Sequence, residues 1–290
     1  MAKSNEIDML HGPLLMKILV FSLPLAASSV LQQLFNSIDV AVVGHFASSQ
    51  ALAAVGSNGT VISLLINLFL GVSMGANVII SNHIGQNDEE GIQKAVSTAF
   101  TTAIVSGLIL MCLGVAAAKP ILTIMGTPDD VLTLAATYLR IYFLGIPFFL
   151  IFNFGAAILR SMGDTKRPLY ILVIAGIVNT VLNLFFVIVL KMSVAGVAVA
   201  TGIANLVSAL LIIRLLCKEK APFRLHLNKI GVVWSELKRM LMIGIPAGLQ
   251  GMVFSFSNVL LQTAINGYGS DAIAGSAAAL NFEYYCYFVI

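Results

Sequence analysis

Ser28, Gln32, Asn36 and Asp39 follow one another at intervals of four, four and three, so a helix of about 3.6 residues per turn sets them in one stripe. Hydroxyl, amide and carboxylate groups at that spacing suit a hard cation, a proton relay or hydrogen bonds between helices. Asp39 stands alone as an acid: the neighbouring charges in the sequence are Lys17 and Asp88. An ionised carboxylate facing lipid costs at least about 3 kcal/mol, so the stripe must face a bundle interior or a wet cavity. Burial disfavours the charged form, which lets such a group load and release a proton, or hold Na⁺ when ionised. A purely structural reading, with hydroxyls and amides holding the carboxylate for packing, stays open beside it.

Further polar residues recur at helical spacing. Asn179 and Asn183 are one turn apart, Thr201, Asn205 and Ser208 share a stripe, and Tyr138, Tyr142 and Asn153 fall in one sector. Each alone reads as interhelical glue; converging on a carboxylate, they make an oxygen-rich cation site. Pro24 precedes Asp39 by fifteen residues, about 22 Å along a helix axis. It removes one backbone hydrogen bond and can bend the helix.

The elements that position these groups are membrane spans. The sequence of 290 residues is 59% hydrophobic and 10% charged, with mean hydropathy +0.97, and its charges cluster between apolar runs of roughly twenty residues, long enough to cross a bilayer as helix. The runs predict an all-α integral membrane protein with spans over 14–44, 54–80, 96–117, 131–158, 168–190, 194–216 and 241–266, and an eighth from about Ala272. The first run is too long for a cleaved signal.

Charge alternates between the connections. One side receives Lys3, Lys17, Lys94, Arg160, Lys166, Arg167 and most of the basic residues of 214–239, whereas the other receives Lys119 and Lys191. Positive loops stay cytoplasmic, which puts the N-terminus inside. Residues 217–240 form the long polar stretch. They predict a cytoplasmic linker with an interfacial amphipathic helix, Trp234 and Leu237 on its apolar face, rather than a nucleic-acid patch.

Cys112, Cys217 and Cys286 sit singly and lack metal-ligand spacing, and His11, His45, His83 and His226 fall in separate segments. No P-loop, H-E-x-x-H or G-x-S-x-G occurs, so nothing supports ATP hydrolysis or a hydrolase. Asn58 opens an N-G-T triplet, but within a span it reads as no glycosylation site. Gly71 with Gly75, and Gly244 with Gly248, match small-xxx-small spacing, a pattern common by chance. Arg140 sits near a span end, where snorkelling accounts for it.

"SLPLAASSVLQQLFNSIDVAVVG" from Ser22 lies over "GIPAGLQGMVFSFSNVLLQTAING" from Gly244, pairing Pro24 with Pro246 and Asn36 with Asn258. Such internal symmetry, with six spans between copies, is how many carriers are built. It predicts a parallel repeat of two six-helix halves. This chain holds one half (1–216), the linker (217–240) and the start of the next (241–290), and reads as a partial product.

These residues resemble the MATE multidrug and toxic-compound extrusion transporters: Pro24 followed by "QQLFNSIDVAVVGH", then "GANVIISNHIGQND", "LRSMGDTKRPL", "NTVLNLFFVI", "AGVAVATGIAN" and "AGSAAALNF". The resemblance covers nearly the whole chain. It implies a twelve-helix, two-lobe carrier in the plasma membrane, monomeric when complete, that exports cationic or amphiphilic drugs in exchange for H⁺ or Na⁺, with no other cofactor. It puts Asp39 at the coupling aspartate, Pro24 at the bending proline, and Asn179, Asn183 and Thr201 at the remaining cation-site positions of the DinF-like branch. Gln32, Asn36, Tyr138 and Asn153 are the expected substrate contacts. Two positions depart from the pattern. Many DinF-like members carry an aspartate where this chain has Asn183, which favours H⁺ over Na⁺, and NorM-like members carry a glutamate where it has Phe254. Glu283 is an intramembrane acid without a role. A flippase for lipid-linked sugars and a channel or receptor are the alternative readings.

Overall fold

The structure, a computed structural model, describes residues 14–227 and 230–289. Lys3, His11 and Lys229 lie outside the described residues, as does the side chain of Cys286. Among the described residues every regular element is helical: α1 (Leu14–Phe46), α2 (Ser49–Gly85), α3 (Glu89–Ile124), α4 (Asp129–Leu144), α5 (Ile146–Ser161), α6 (Lys166–Leu184), α7 (Ser193–Lys218), α8 (Trp234–Asn266) and α9 (Ser270–Val289). Six of them are each long and apolar enough to cross a membrane, and α4 with α5, bent by 47° at their junction, are so as a pair. The chain is a multi-pass membrane protein.

The fourth apolar run is therefore two helices rather than the single span 131–158. Pro147 has no N–H to give the carbonyl four residues back, at Phe143, and its ring crowds that turn. Gly145 fills the corner, where a Cβ would lie 3.0 Å from the Cα of Gly202 on α7. The fifth run ends in a π-helical turn over Phe185–Val189. The expected interfacial helix is not separate either: Trp234–Met240 is the first part of α8, with Glu236 and Met240 buried, Leu237 half-buried and Trp234 exposed. Charged residues on three sides of that turn made it read as linker. Pro24 and Pro246 both lie inside unbroken helices.

The crossings alternate, so the α2–α3, α5–α6 and α7–α8 connections share one end of the bundle with the start of α1. We call it the basic end. Two apolar cores stack along the axis. One, towards the opposite end, gathers Val43, Ala54, Leu122, Leu139, Ile146 and Val197. The other, towards the basic end, gathers Ile80, Val96, Phe100, Phe154, Ile158 and Ile212. Helix ends are capped where they turn: Ser48 accepts from the Ala51 amide at 3.2 Å, and Asp88 accepts from the Gly91 amide at 2.9 Å.

The glycine pairs discounted as chance form the main helix crossing. A Cβ on Gly71 would lie 2.3 Å from the Gly248 nitrogen, and one on Gly75 would lie 2.2 Å from the Met240 carbonyl oxygen. α2 and α8 thus meet backbone against backbone. Asn58 is also structural, buried and donating to the Ala135 carbonyl at 2.9 Å.

Candidate functional site

A cavity of about 390 Å³ opens inside the bundle between α1, α2, α4, α5, α6, α7 and α9. The stripe on α1 faces it: Gln32, Asn36 and Asp39 line its wall. Ser28, one turn below Gln32, instead donates to the Pro24 carbonyl at 2.8 Å. Asp39 is 8% exposed.

Packing explains why Asp39 meets its partners. Gly176 on α6 leaves no room for a Cβ because the Phe35 ring of α1 lies 1.8 Å from that position. α1 and α6 run in the same direction, so the turns beyond this contact continue side by side towards Asp39 and Asn183. There Asn183 Nδ2 donates to Asp39 Oδ1 at 2.6 Å. Asn179 Nδ2 donates to Thr201 Oγ1 at 3.2 Å, and Thr201 in turn donates to the Val197 carbonyl at 3.0 Å. The side-chain carbonyl oxygens of Asn179 and Asn183 are buried without a donor. A buried acceptor left unsatisfied costs about 1–3 kcal/mol, and two beside a carboxylate suit a hard cation or a proton.

The aromatic wall comes from the bent span. Tyr138 and Tyr142, ring centroids 6.0 Å apart and nearly parallel, line the cavity above the bend, and Phe149 and Phe152 line it below. Asn153 does not reach it: its amide donates to the Phe149 carbonyl within its own helix at 2.9 Å. In an unbroken helix Asn153 would share the sector of Tyr138, but the 47° bend separates them. Asn205 and Ser208 of α7 also line the wall, and Ser208 donates to Ala204.

Several lining residues escaped the sequence reading. Thr60, Ser63 and Asn67 of α2 face the cavity, and their spacing of three and four is the same signal that marked α1. Asn67 also donates to Ser255 of α8 at 2.7 Å. Phe254 is exposed and borders a second cavity of about 170 Å³ with Thr60, Ser63, Asn67, Ser255 and Asn258. Glu283 is exposed on α9, and Arg140 is exposed outside the main cavity.

Comparisons with known proteins agree with this architecture. The probable multidrug resistance protein YpnP of Bacillus subtilis (strain 168) is 31% identical over 283 residues, 95% of this chain and 62% of that protein. The probable multidrug resistance protein NorM of Thermotoga maritima is 29% identical over 280 residues, 92% of this chain and 58% of that protein. Among solved structures, an inward-facing multidrug resistance MATE family transporter of the MOP superfamily superposes with TM-score 0.79 at 25% identity, over 86% of this chain and 57% of that one. A MATE in the straight conformation superposes with TM-score 0.81 at 25% identity, over 95% of this chain and 62% of that one. The chain thus spans about three-fifths of the length of these relatives. The MatE family model matches residues 24–185, more than half of the sequence, and the chain belongs to the MATE family of transporters.

Proposed function

We propose that this chain is the substrate- and cation-binding part of a secondary active efflux carrier, which exchanges cationic or amphiphilic drugs for H⁺, or for Na⁺, by alternating access. In this reading residues 1–216 are the first lobe, 217–240 the linker and 241–290 the start of the second lobe. The carrier sits in the plasma membrane with its basic end in the cytoplasm, so Asp39 lies in the outer half of α1.

The observation that carries the reading is Asp39, buried in the wall of a cavity that also presents aromatic faces and amides and, among the described residues, is lined by no Lys or Arg. Such a cavity suits an organic cation, held by ring faces and one carboxylate. It does not suit a pyrophosphate, which argues against the lipid-linked sugar. Asn183 supports H⁺ as coupling ion. Its amide offers both a donor and an acceptor, so one side chain can meet ionised Asp39 through Nδ2 and, turned over, protonated Asp39 through Oδ1.

The cycle then runs as a competition. A drug-like cation occupies the cavity beside Gln32, Asn36 and Tyr138 while Asp39 is ionised. Protonation of Asp39, or Na⁺ bound among Asp39, Asn179, Asn183 and Thr201, removes the charge that held the drug. α1 shifts about Pro24, where the carbonyl of Val20 lacks its intrahelical donor, and the drug leaves outward. The two lobes then rock to return the site inward. Asp39→Asn in the full-length protein is expected to reduce gradient-driven drug efflux from everted vesicles to background with normal membrane insertion. Undiminished efflux overturns the assignment.

A further inference from the structure

One cluster of titratable groups that this cycle leaves unused sits at the basic end of the α2–α8 seam. His83, near the end of α2, is 6% exposed, and Glu236, in the first turn of α8, is equally buried. His83 Nδ1 lies 2.9 Å from Asp88 Oδ2, and Nε2 lies 3.0 Å from Glu236 Oε2. Each ring nitrogen thus faces a carboxylate oxygen, one from the α2–α3 connection and one from α8. Arg239 stands 3.8 Å from the other oxygen of Glu236, and Lys94 of α3 contributes a positive field at both carboxylates. Space is made for the ring by Gly91: a Cβ there would lie 2.2 Å from both His83 Nδ1 and Asp88 Oδ2.

This cluster is placed to control the seam. Leu70 is the last α2 residue in the wall of the cavity, and His83 follows thirteen residues later, about 20 Å along the axis. Between them α2 meets α8 through the glycine crossing, where a Cβ on Gly71 or Gly75 would strike the α8 backbone. Past Asn67, the one side-chain hydrogen bond across the seam among the described residues is His83–Glu236. The segment before α8 is tethered separately, with the Gly231 amide on Ser97 and the Val233 amide on Thr98, each at 3.0 Å. At the opposite end α8 is held to the end of α3 instead, where Asn266 donates to the Met125 carbonyl at 2.9 Å.

We propose that His83, clasped between Asp88 and Glu236, is a breakable latch that shuts the α2–α8 seam at the basic end and must release before the cavity opens towards that end. The need for release rests on the alternating access proposed above; the latch itself does not. Removing one partner leaves a buried charge uncompensated, so the seam parts. The tether at Gly231 and Val233 then serves as the pivot.

The test labels a cysteine hidden in the seam. Met240→Cys, at a fully buried position of α8, is placed in full-length protein whose Cys112, Cys217 and Cys286 are replaced by alanine. Inverted vesicles are treated with a membrane-impermeant maleimide. Glu236→Lys is expected to raise the labelling rate at least tenfold, and combining it with His83→Glu and Asp88→Asn, which restores opposite charges across the seam without setting two carboxylates side by side, to bring it back within threefold of the starting value. Glu236→Gln, which keeps the shape, is expected to raise it severalfold and serves if the lysine variant does not insert. Unchanged labelling in Glu236→Gln, or a reversed pair as open as Glu236→Lys, overturns the latch. Labelling needs neither drug nor coupling ion, so failure here is distinct from failure of the Asp39 assignment, which shows only in efflux.

Discussion

The side-chain amide of Asn183 donates to the carboxylate of Asp39 across 2.6 Å, on a residue with no exposed surface. That pairing decides how much negative charge the site holds. A second carboxylate at this distance would repel the first and call for a metal ion or a shared proton. Asn183→Asp is therefore expected to make transport depend on Na⁺: efflux driven by a proton gradient falls several-fold without Na⁺, while a Na⁺ gradient becomes effective. Everted vesicles with the two gradients imposed separately measure this. A variant whose response to Na⁺ matches the parent's would contradict the role given to Asn183.

Gly75 meets the Met240 carbonyl so closely that a methyl group would sit 2.2 Å from its oxygen. Gly75→Ala must push α2 and α8 apart, and overpacking of this kind costs about 1–3 kcal/mol. The expected result is a lower melting temperature in detergent, read by thermal unfolding. Gly85→Ala, at a position with open space around it, is the control and is expected to leave stability nearly unchanged.

Asn58 ties α2 to α4 through the Ala135 carbonyl, with its side chain fully buried. Asn58→Ala removes that bond and leaves a small void, for a loss of about 1 kcal/mol. The same unfolding measurement detects it, and transport by the folded fraction should be unaffected.

Asp88 caps α3 from the connection between spans, and its carboxyl is held below the usual range, chiefly by the Gly91 amide and with help from His83. A carboxyl depressed in the folded state adds stability above its unfolded pKa, about 3.9, and loses it as pH falls through the lower folded value. Asp88→Asn is accordingly expected to be less stable than the parent at neutral pH by a margin that stays constant down to about pH 5. The margin should close only in strong acid. Melting curves of both proteins across pH check the sign; a gap that opens on acidification would reverse it.

The sequence made the site's local half legible. The stripe on α1 and the amides at 179 and 183 are periodic, and periodicity survives whatever the helices do next. That Asn183 reaches Asp39 while Asn179 reaches Thr201 depends on Phe35 filling the notch at Gly176, a contact between residues 141 positions apart that no spacing encodes. Asn153 was misplaced for a different reason. Its run is apolar from 131 to 158, and hydropathy is blind to the break that Gly145 and Pro147 impose. The start of α8 was hidden because Glu236 is charged and nonetheless buried, its cost offset by His83, 153 residues earlier in the chain.

The crossing of α2 and α8 has a mechanical consequence. Helices usually interlock by ridges of side chains seated in grooves, so turning one against the other means lifting each ridge over its neighbour. Gly71, Gly75, Gly244 and Gly248 present no ridge at all. The two backbones touch along a smooth stretch of two to three turns, from Leu68 to Gly75 on α2, with no ridge to be lifted over a neighbour there. The crossing is a bearing: it fixes where the two helices meet and leaves their angle to the contacts at either end.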